Sequence, residues 1–267
     1  MPPFHLVDAF TDRPFTGNPA GVVVLDGPVE QAWAQAVAAE VRASETAFVS
    51  PRPDGWQLRW WTPRVEVELC GHATLAAAHV LIEEGLAPPD LPVNFHTRSG
   101  RLRAVRRGPQ VAMDLPAWPL APHPEPAGLA AALGGVIGRY LGRSTGSVQA
   151  WDVVELRDEA EVRAVRPDLA VVAALGSTGL IVTAAGNDVD LVSRVFAPAV
   201  GVDEDPVTGS AHSTLGPLWA ARLGRTRLTA RQCSPRGGRL DLEVGADRVE
   251  VAGRAVTVIR GRIAGPV

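Results

Sequence analysis

The sequence predicts an α+β protein of two pseudo-symmetric halves, each a mixed or antiparallel sheet wrapped around one central helix. Three observations carry this expectation. A motif recurs about half a chain apart, one helix-length run is apolar nearly all round, and short β-rich runs flank it.

The recurring motif is WTPRVEVELCGHATLAAAHVLIEEG from Trp61 and FAPAVGVDEDPVTGSAHSTLGPLWAARLG from Phe196. Each copy has an aromatic, a proline, a polar stretch, and then Gly-x-Ala opening an alanine-rich helix that ends near a glycine. Gly71-His72-Ala73 aligns with Gly209-Ser210-Ala211, and the same offset of 138 residues puts Gly100-Arg101-Leu102 on Gly238-Arg239-Leu240. A slightly smaller offset puts SETAFVS from Ser44 on STGLIVT from Ser177. One such match is ordinary chance. Three in the same order indicate duplication, with a period far longer than that of solenoid repeats.

Strands are expected at His5–Phe10, Ala20–Leu25, Thr46–Ser50, Gln57–Trp61, Val93–His96 and Arg101–Val105. A helix fits Val29–Val41, where Trp33, Val37 and Val41 share a face. The run His72–Glu84 has almost no polar face, as expected of a helix buried on all sides. In the second copy Pro217 removes a helical hydrogen bond and is expected to kink or restart the helix. The proline-rich stretch LPAWPLAPHPEP from Leu115 excludes regular helix or central strand and reads as the linker. The halves are therefore placed at residues 1–116 and 117–267, with the last strand allowed to cross back to the first.

Composition excludes several chemistries. All 26 basic residues are arginine, so neither a pyridoxal Schiff base nor a Walker-type phosphate loop can form. Net charge is −3 with interspersed signs, and the densest basic run, Arg101, Arg103, Arg106 and Arg107, reads as the wet face of a strand. Nucleic acid is not an expected partner. No stretch suits a membrane span, Met1–Phe10 does not read as a signal peptide, and two cysteines make no disulfide framework. A cytoplasmic setting is the expectation.

The matched helix starts point to chemistry. A helix N-terminus carries unsatisfied N–H groups and roughly half a positive charge. Two such ends facing one cleft would hold a carboxylate or a developing enolate. Either alone is explained by a turn glycine and a capping serine; the matched pair favours a site. Glu45 opens an otherwise apolar strand where the second half has Thr178, an asymmetry that suits a one-base site. In an apolar pocket its pKa would rise toward neutrality. An apolar wall of Phe48, Trp60 and Trp61 is expected to slow its exchange with water.

His72, at a helix N-terminus, should resist protonation and act as a donor or relay, whereas His79 and His212 read as packing residues. His72 and His79 lie about 10 Å apart along a helix, too far to share a zinc ion, and no metal is expected. Cys70 is opposed by Thr208, which excludes a two-thiol racemase. A single thiolate base at Cys70 stays open, since a helix N-terminus lowers a thiol pKa.

At these residues the sequence resembles the PhzF-like isomerase family of phenazine biosynthesis, which has the diaminopimelate epimerase fold. The strings that carry the resemblance are VDAFTDRPFTGNPAGVVVL, SETAF, LCGHAT, FHTRSG, EDPVTGSAH and ARQCSPRGG, spanning Val7 to beyond Gly238. The family's phenazine enzyme isomerises dihydro-3-hydroxyanthranilate without a cofactor, and members are usually homodimers. Carried over, the resemblance implies Glu45 as base, with His72, Asp205 and Ser210 as further catalytic residues. Asn18, Gly71, Ala73, Gly209 and Ala211 would line the substrate site.

The function expected is a cofactor-independent isomerase that shifts a proton on a small carboxylate-bearing metabolite, with Glu45 as general acid and base. The alternatives are an epimerase or dehydratase working through Cys70, and a non-catalytic metabolite-binding protein of the same fold.

Overall fold

Apolar β-rich runs punctuated by Gly, Pro and Asp lay most of the chain down as strands, and two alanine-rich runs form the long central helices. The computed structural model describes residues 1–146 and 149–265. Contacts divide the chain into one unit of Met1–Asp114 with Ala252–Val267, and a second of Leu115–Val251.

The first unit opens with β1 (Pro3–Ala9) and β2 (Asn18–Val24), an antiparallel pair. Helix α1 (Gln31–Val41), the hairpin β3 (Glu45–Arg52) and β4 (Gly55–Trp61), the two-residue β5 (Glu66–Val67) and helix α2 (Gly71–Glu83) follow. β6 (Val93–Thr97), β7 (Gly100–Arg107) and β8 (Gln110–Pro116) come next. β2 runs parallel to β3, β3 antiparallel to β4, β4 parallel to β6, and β6 antiparallel to β7. The arginines of β7 named above are exposed.

The second unit carries β9 (Leu120–Ala121), α3 (Leu129–Ala132), β10 (Arg139–Ser144), β11 (Trp151–Glu155), α4 (Glu159–Ala164) and α5 (Leu169–Ala173). Then come β12 (Gly179–Ala185), β13 (Leu191–Ala197), a 3-10 turn at Pro198–Val200, β14 (Val202–Asp205) and α6 (Gly209–Leu223). β15 (Arg227–Gln232), β16 (Gly238–Val244) and β17 (Arg248–Gly253) follow. The strand relations repeat those of the first unit. β11 is parallel to β12, β12 antiparallel to β13, β13 parallel to β15, and β15 antiparallel to β16. A parallel pair needs a long crossover, and each unit places its central helix there: α2 between β4 and β6, α6 between β13 and β15. The final strand, β18 (Ala255–Arg262), pairs antiparallel with β1 in the first unit.

The central helices are buried as their composition requires. Ten residues of α2 from His72 to Ile82 are buried, as are the first eight of α6. α1 instead buries one face, with Ala34, Val37 and Ala38 against Phe48 and Trp61.

Two expectations need correction. Pro217 lies inside α6, and the helix does not restart there. Proline leaves the carbonyl four residues back without its helical donor. That carbonyl, of Ser213, accepts from the Trp118 backbone N–H at 3.1 Å. A donor from the proline-rich stretch thus replaces the missing bond. The same stretch is also more regular than expected, because Leu120–Ala121 pairs with Ser144 and Arg143 of β10 as a short strand.

The second correction concerns the aromatic wall. Side chains alternate faces along a strand, so Glu45, Ala47 and Val49 share one face of β3 and Phe48 the other. Phe48 stacks edge-on between Trp33 of α1, at 5.6 Å, and Trp61, at 5.1 Å. Of the three aromatics, only Trp60, paired with Ala47, stands on the Glu45 face.

Candidate active site

Within the first unit, the start of β3 and the start of α2 bring three sequence-predicted residues together. Glu45 is the first residue of β3, Cys70 the N-cap of α2, and His72 lies in its first turn. Nε2 of His72 is 3.2 Å from Oε2 of Glu45, and Nδ1 of the same ring is 3.5 Å from Sγ of Cys70. The imidazole therefore bridges carboxylate and thiol. Cys70 and His72 are buried, and the Glu45 side chain is 15% exposed.

Local structure explains the placement. Cys70 sits in extended conformation and caps no helix N–H with its side chain, which leaves the thiol directed at the ring. Its carbonyl is held twice, by the Thr74 amide at 3.2 Å and the Thr74 hydroxyl at 2.6 Å. The backbone N–H groups of Gly71, His72 and Ala73 open the helix and have no acceptor within it, which makes this end a place for negative charge.

Asn18, fully buried at the start of β2, accepts from the Ser44 hydroxyl at 3.1 Å, one residue before Glu45. The turn ahead of Asn18 is tightly built. Phe10, Phe15 and Gly17 all have positive φ, and the Phe15 amide donates to Asp8 at 2.6 Å. At Gly17 a Cβ would lie 2.3 Å from the Ala9 carbonyl oxygen, so only glycine fits.

Burial pushes His72 down to about 3, so the ring is neutral near neutral pH. Resistance to protonation was expected from the helix N-terminus; the cause found is desolvation. With the ring neutral, the 3.2 Å approach of Nε2 to Oε2 is not a pairing of opposite charges. A neutral imidazole carries one N–H and one acceptor nitrogen, so one ring nitrogen can donate while the other accepts. The ring thus stands between thiol and carboxylate, with Nδ1 near the first and Nε2 near the second.

The remaining predicted residues lie in the second unit. Asp205 ends β14, Thr208 is the N-cap of α6, and Gly209, Ser210 and Ala211 form its first turn, all three buried. The Thr208 hydroxyl donates to the Asp205 carboxylate. Gln232, which sequence reasoning passed over, holds this turn. Its Nε2 donates to the Asp205 carbonyl at 2.6 Å, and its Oε1 accepts from the Thr208 amide at 2.8 Å. Ser234 adds a bond to the Pro206 carbonyl at 2.8 Å. Both residues lie in the ARQCSPRGG string, which was the available signal.

The two helix starts share one device. Thr74 returns its hydroxyl to the carbonyl of N-cap Cys70, and His212 returns Nδ1–H to the carbonyl of N-cap Thr208 at 2.7 Å. These positions correspond at the 138-residue offset seen between Gly71 and Gly209. His212 is fully buried and pushed down to about 4 by desolvation. His79 is partly buried, 3.3 Å from Glu83 and 3.0 Å from the Thr257 hydroxyl. Thr178, opposite Glu45 in the repeat, is spent on backbone, accepting from the Ala150 amide at 2.9 Å.

Fold and site together define the class: a duplicated α+β architecture with a carboxylate–imidazole–thiol group at one central helix start. A solved structure named as a probable proline racemase, from Agrobacterium radiobacter, shares this fold at 13% identity, with a TM-score of 0.69 over 99% of this chain and 93% of its own. Within that class the chain belongs to the phenazine biosynthesis-like family, PhzC-PhzF, whose model matches residues 7–261. A Pseudomonas aeruginosa protein named as an uncharacterized isomerase is 49% identical over 97% of both chains. A human phenazine biosynthesis-like domain-containing protein is 37% identical over 98% of both. The crystal structure of a PhzF family protein from Enterococcus faecalis matches with a TM-score of 0.89 at 39% identity, covering 97% of this chain and 98% of the other.

Proposed function

We propose that this chain is a cofactor-independent isomerase that shifts a proton on a small carboxylate-bearing metabolite, with Glu45 as the acid–base group. The observation that carries the reading is the 3.2 Å contact between Glu45 and a buried, neutral His72 at the start of α2. The isomerase names of close relatives support the reaction class.

In this reading the amides of Gly71, His72 and Ala73 receive the substrate carboxylate or the charge that develops as its C–H bond breaks. Glu45 takes the proton, the electron pair moves into the conjugated carbonyl system, and protonated Glu45 returns the proton to a different carbon. His72 orients the carboxylate through Nε2–H. Asn18 fixes the segment ahead of Glu45 through Ser44. Asp205 and Ser210, with Gly209 and Ala211, are proposed as the second unit's contribution on the strength of the family motif. A homodimer in the cytoplasm belongs to the same proposal; among the described residues no helix is long and apolar enough to cross a membrane.

One observation favours a second reading. The Cys70 thiol lies 3.5 Å from His72 Nδ1, so a ring that passes the thiol proton on toward Glu45 would leave a thiolate base for epimerisation or dehydration. The deciding experiment incubates wild type, Glu45→Gln and Cys70→Ala with a metabolite extract in deuterium oxide, and scores compounds that gain deuterium or shift in retention. Activity lost in Glu45→Gln and kept in Cys70→Ala supports the carboxylate. The reverse pattern assigns the chemistry to the thiol.

A further inference from the structure

Glu45, Cys70 and His72 offer one oxygen, one sulfur and one nitrogen donor, and these atoms all lie within 4.8 Å of one another. We propose that the three side chains form a zinc-capture site, which takes up a divalent transition-metal ion and silences the acid–base group. Sequence spacing tested only His72 against His79 and gave no hint of it. The partners of His72 come from the N-cap beside it and from a strand 27 positions earlier.

Tetrahedral zinc holds sulfur at about 2.3 Å and nitrogen or oxygen at about 2.0–2.2 Å, which sets donor atoms roughly 3.3–3.8 Å apart. The distances present bracket that requirement: 3.2 Å from Glu45 Oε2 to His72 Nε2, and 4.0 Å from Cys70 Sγ to the same nitrogen. These two edges need adjustments of well under an ångström, and the Cys70–Glu45 edge, within 4.8 Å, closes by about an ångström or less. The donor set also matches the ion in softness, with thiolate and imidazole preferring zinc over magnesium or calcium.

Charge balance favours the ion as well. Zn²⁺ displaces the thiol proton, and Nε2 binds with the ring proton on Nδ1. Thiolate and carboxylate then cancel the two positive charges, with one proton released to solvent. A neutral assembly in a largely buried site avoids the cost of an uncompensated charge. Three protein ligands leave a fourth position open. The bound ion occupies the Glu45 oxygen and the His72 nitrogen that proton transfer would use. The assignment rests on geometry and holds whichever of the three groups moves the proton.

The test uses the full chain after chelator treatment, without substrate. Zn²⁺ is titrated by calorimetry. Cd²⁺ serves as the optical probe, because a cadmium–thiolate bond adds a charge-transfer band in the ultraviolet. One ion per chain is expected, with the cadmium band present. Cys70→Ser, nearly isosteric, should abolish the band and weaken zinc at least about 100-fold. Glu45→Gln should weaken it at least about 10-fold, and Cys233→Ser should leave both readouts unchanged. Circular dichroism and thermal melting confirm that each variant is folded. A band that persists in Cys70→Ser, zinc affinity equal in wild type and the two ligand variants, or no band up to roughly millimolar cadmium would each overturn the site.

Discussion

Nε2 of His72, on the second residue of α2, stands 3.2 Å from Oε2 of Glu45, on the first residue of β3. A helix start and a strand start thus meet where a buried neutral ring faces a partly exposed carboxylate. Proton transfer in this account is organised around that pair.

Replacing Glu45 with Gln keeps size and hydrogen-bonding shape but removes the proposed base. Turnover should fall by about 10²–10⁴-fold, while the melting temperature stays close to wild type. Cys70→Ala, measured in parallel, should retain most of the activity. Steady-state kinetics on the first substrate found in extract provides the check.

His72→Gln should act differently. It leaves Glu45 in place but loses the ring that bridges carboxylate and thiol, so kcat should fall by about 10-fold or more with the Glu45 pH profile retained. A pH–rate profile identical in shape but lower in height is the expected result. A profile shifted bodily along the pH axis would make His72 the titrating group.

Acid should destabilise this protein through its buried histidines. His72 and His212 are depressed by burial to about 3 and about 4, below the 6.5 of a free imidazole. Between those values and 6.5 the unfolded chain binds protons that the folded chain refuses. Stability is therefore full above about pH 6.5 and falls as pH drops, by about 1.4 kcal/mol per pH unit for each such histidine. His212→Asn preserves a donor toward the Thr208 carbonyl, and should flatten the slope by about one proton between pH 6 and 4.5. Urea unfolding across that range reads it.

Gln232 holds the turn that carries Asp205. Gln232→Leu leaves the Thr208 amide and the Asp205 carbonyl without their side-chain partner. Each orphaned buried group costs about 1–3 kcal/mol, so chemical denaturation should show a loss in that range or somewhat above it. In the proposed function the variant should also lower turnover, because the Asp205–Thr208 turn loosens.

The parts legible in the sequence are those with periodic or repeated signals. The all-round apolar run from His72 could only be a buried helix, and the offset between Gly71 and Gly209 marked the second one. What escaped was set by tertiary partners. Trp118 donates to Ser213 and lets α6 pass through Pro217, which no helix rule could supply from Pro217 alone. Gln232 bonds backbone groups in another loop, and a single glutamine carries no pattern. Cys70 meets His72 although residues two apart on a helix do not face each other, because the N-cap is extended rather than helical. Phe48 was grouped with Glu45 by proximity in sequence, where strand alternation puts them on opposite faces.

The hydrogen itself reports which group carries it. Glu45 as a single carrier can take a proton from one carbon and return it to another without releasing it to water. The substrate, once found, is run in deuterium oxide and the product examined at low conversion by NMR and mass spectrometry. With Glu45 as the carrier, part of the original hydrogen appears at the new carbon, on the same face, and Glu45→Gln abolishes this transfer. Product with inverted configuration and full solvent deuterium, or product short of one water, would contradict it.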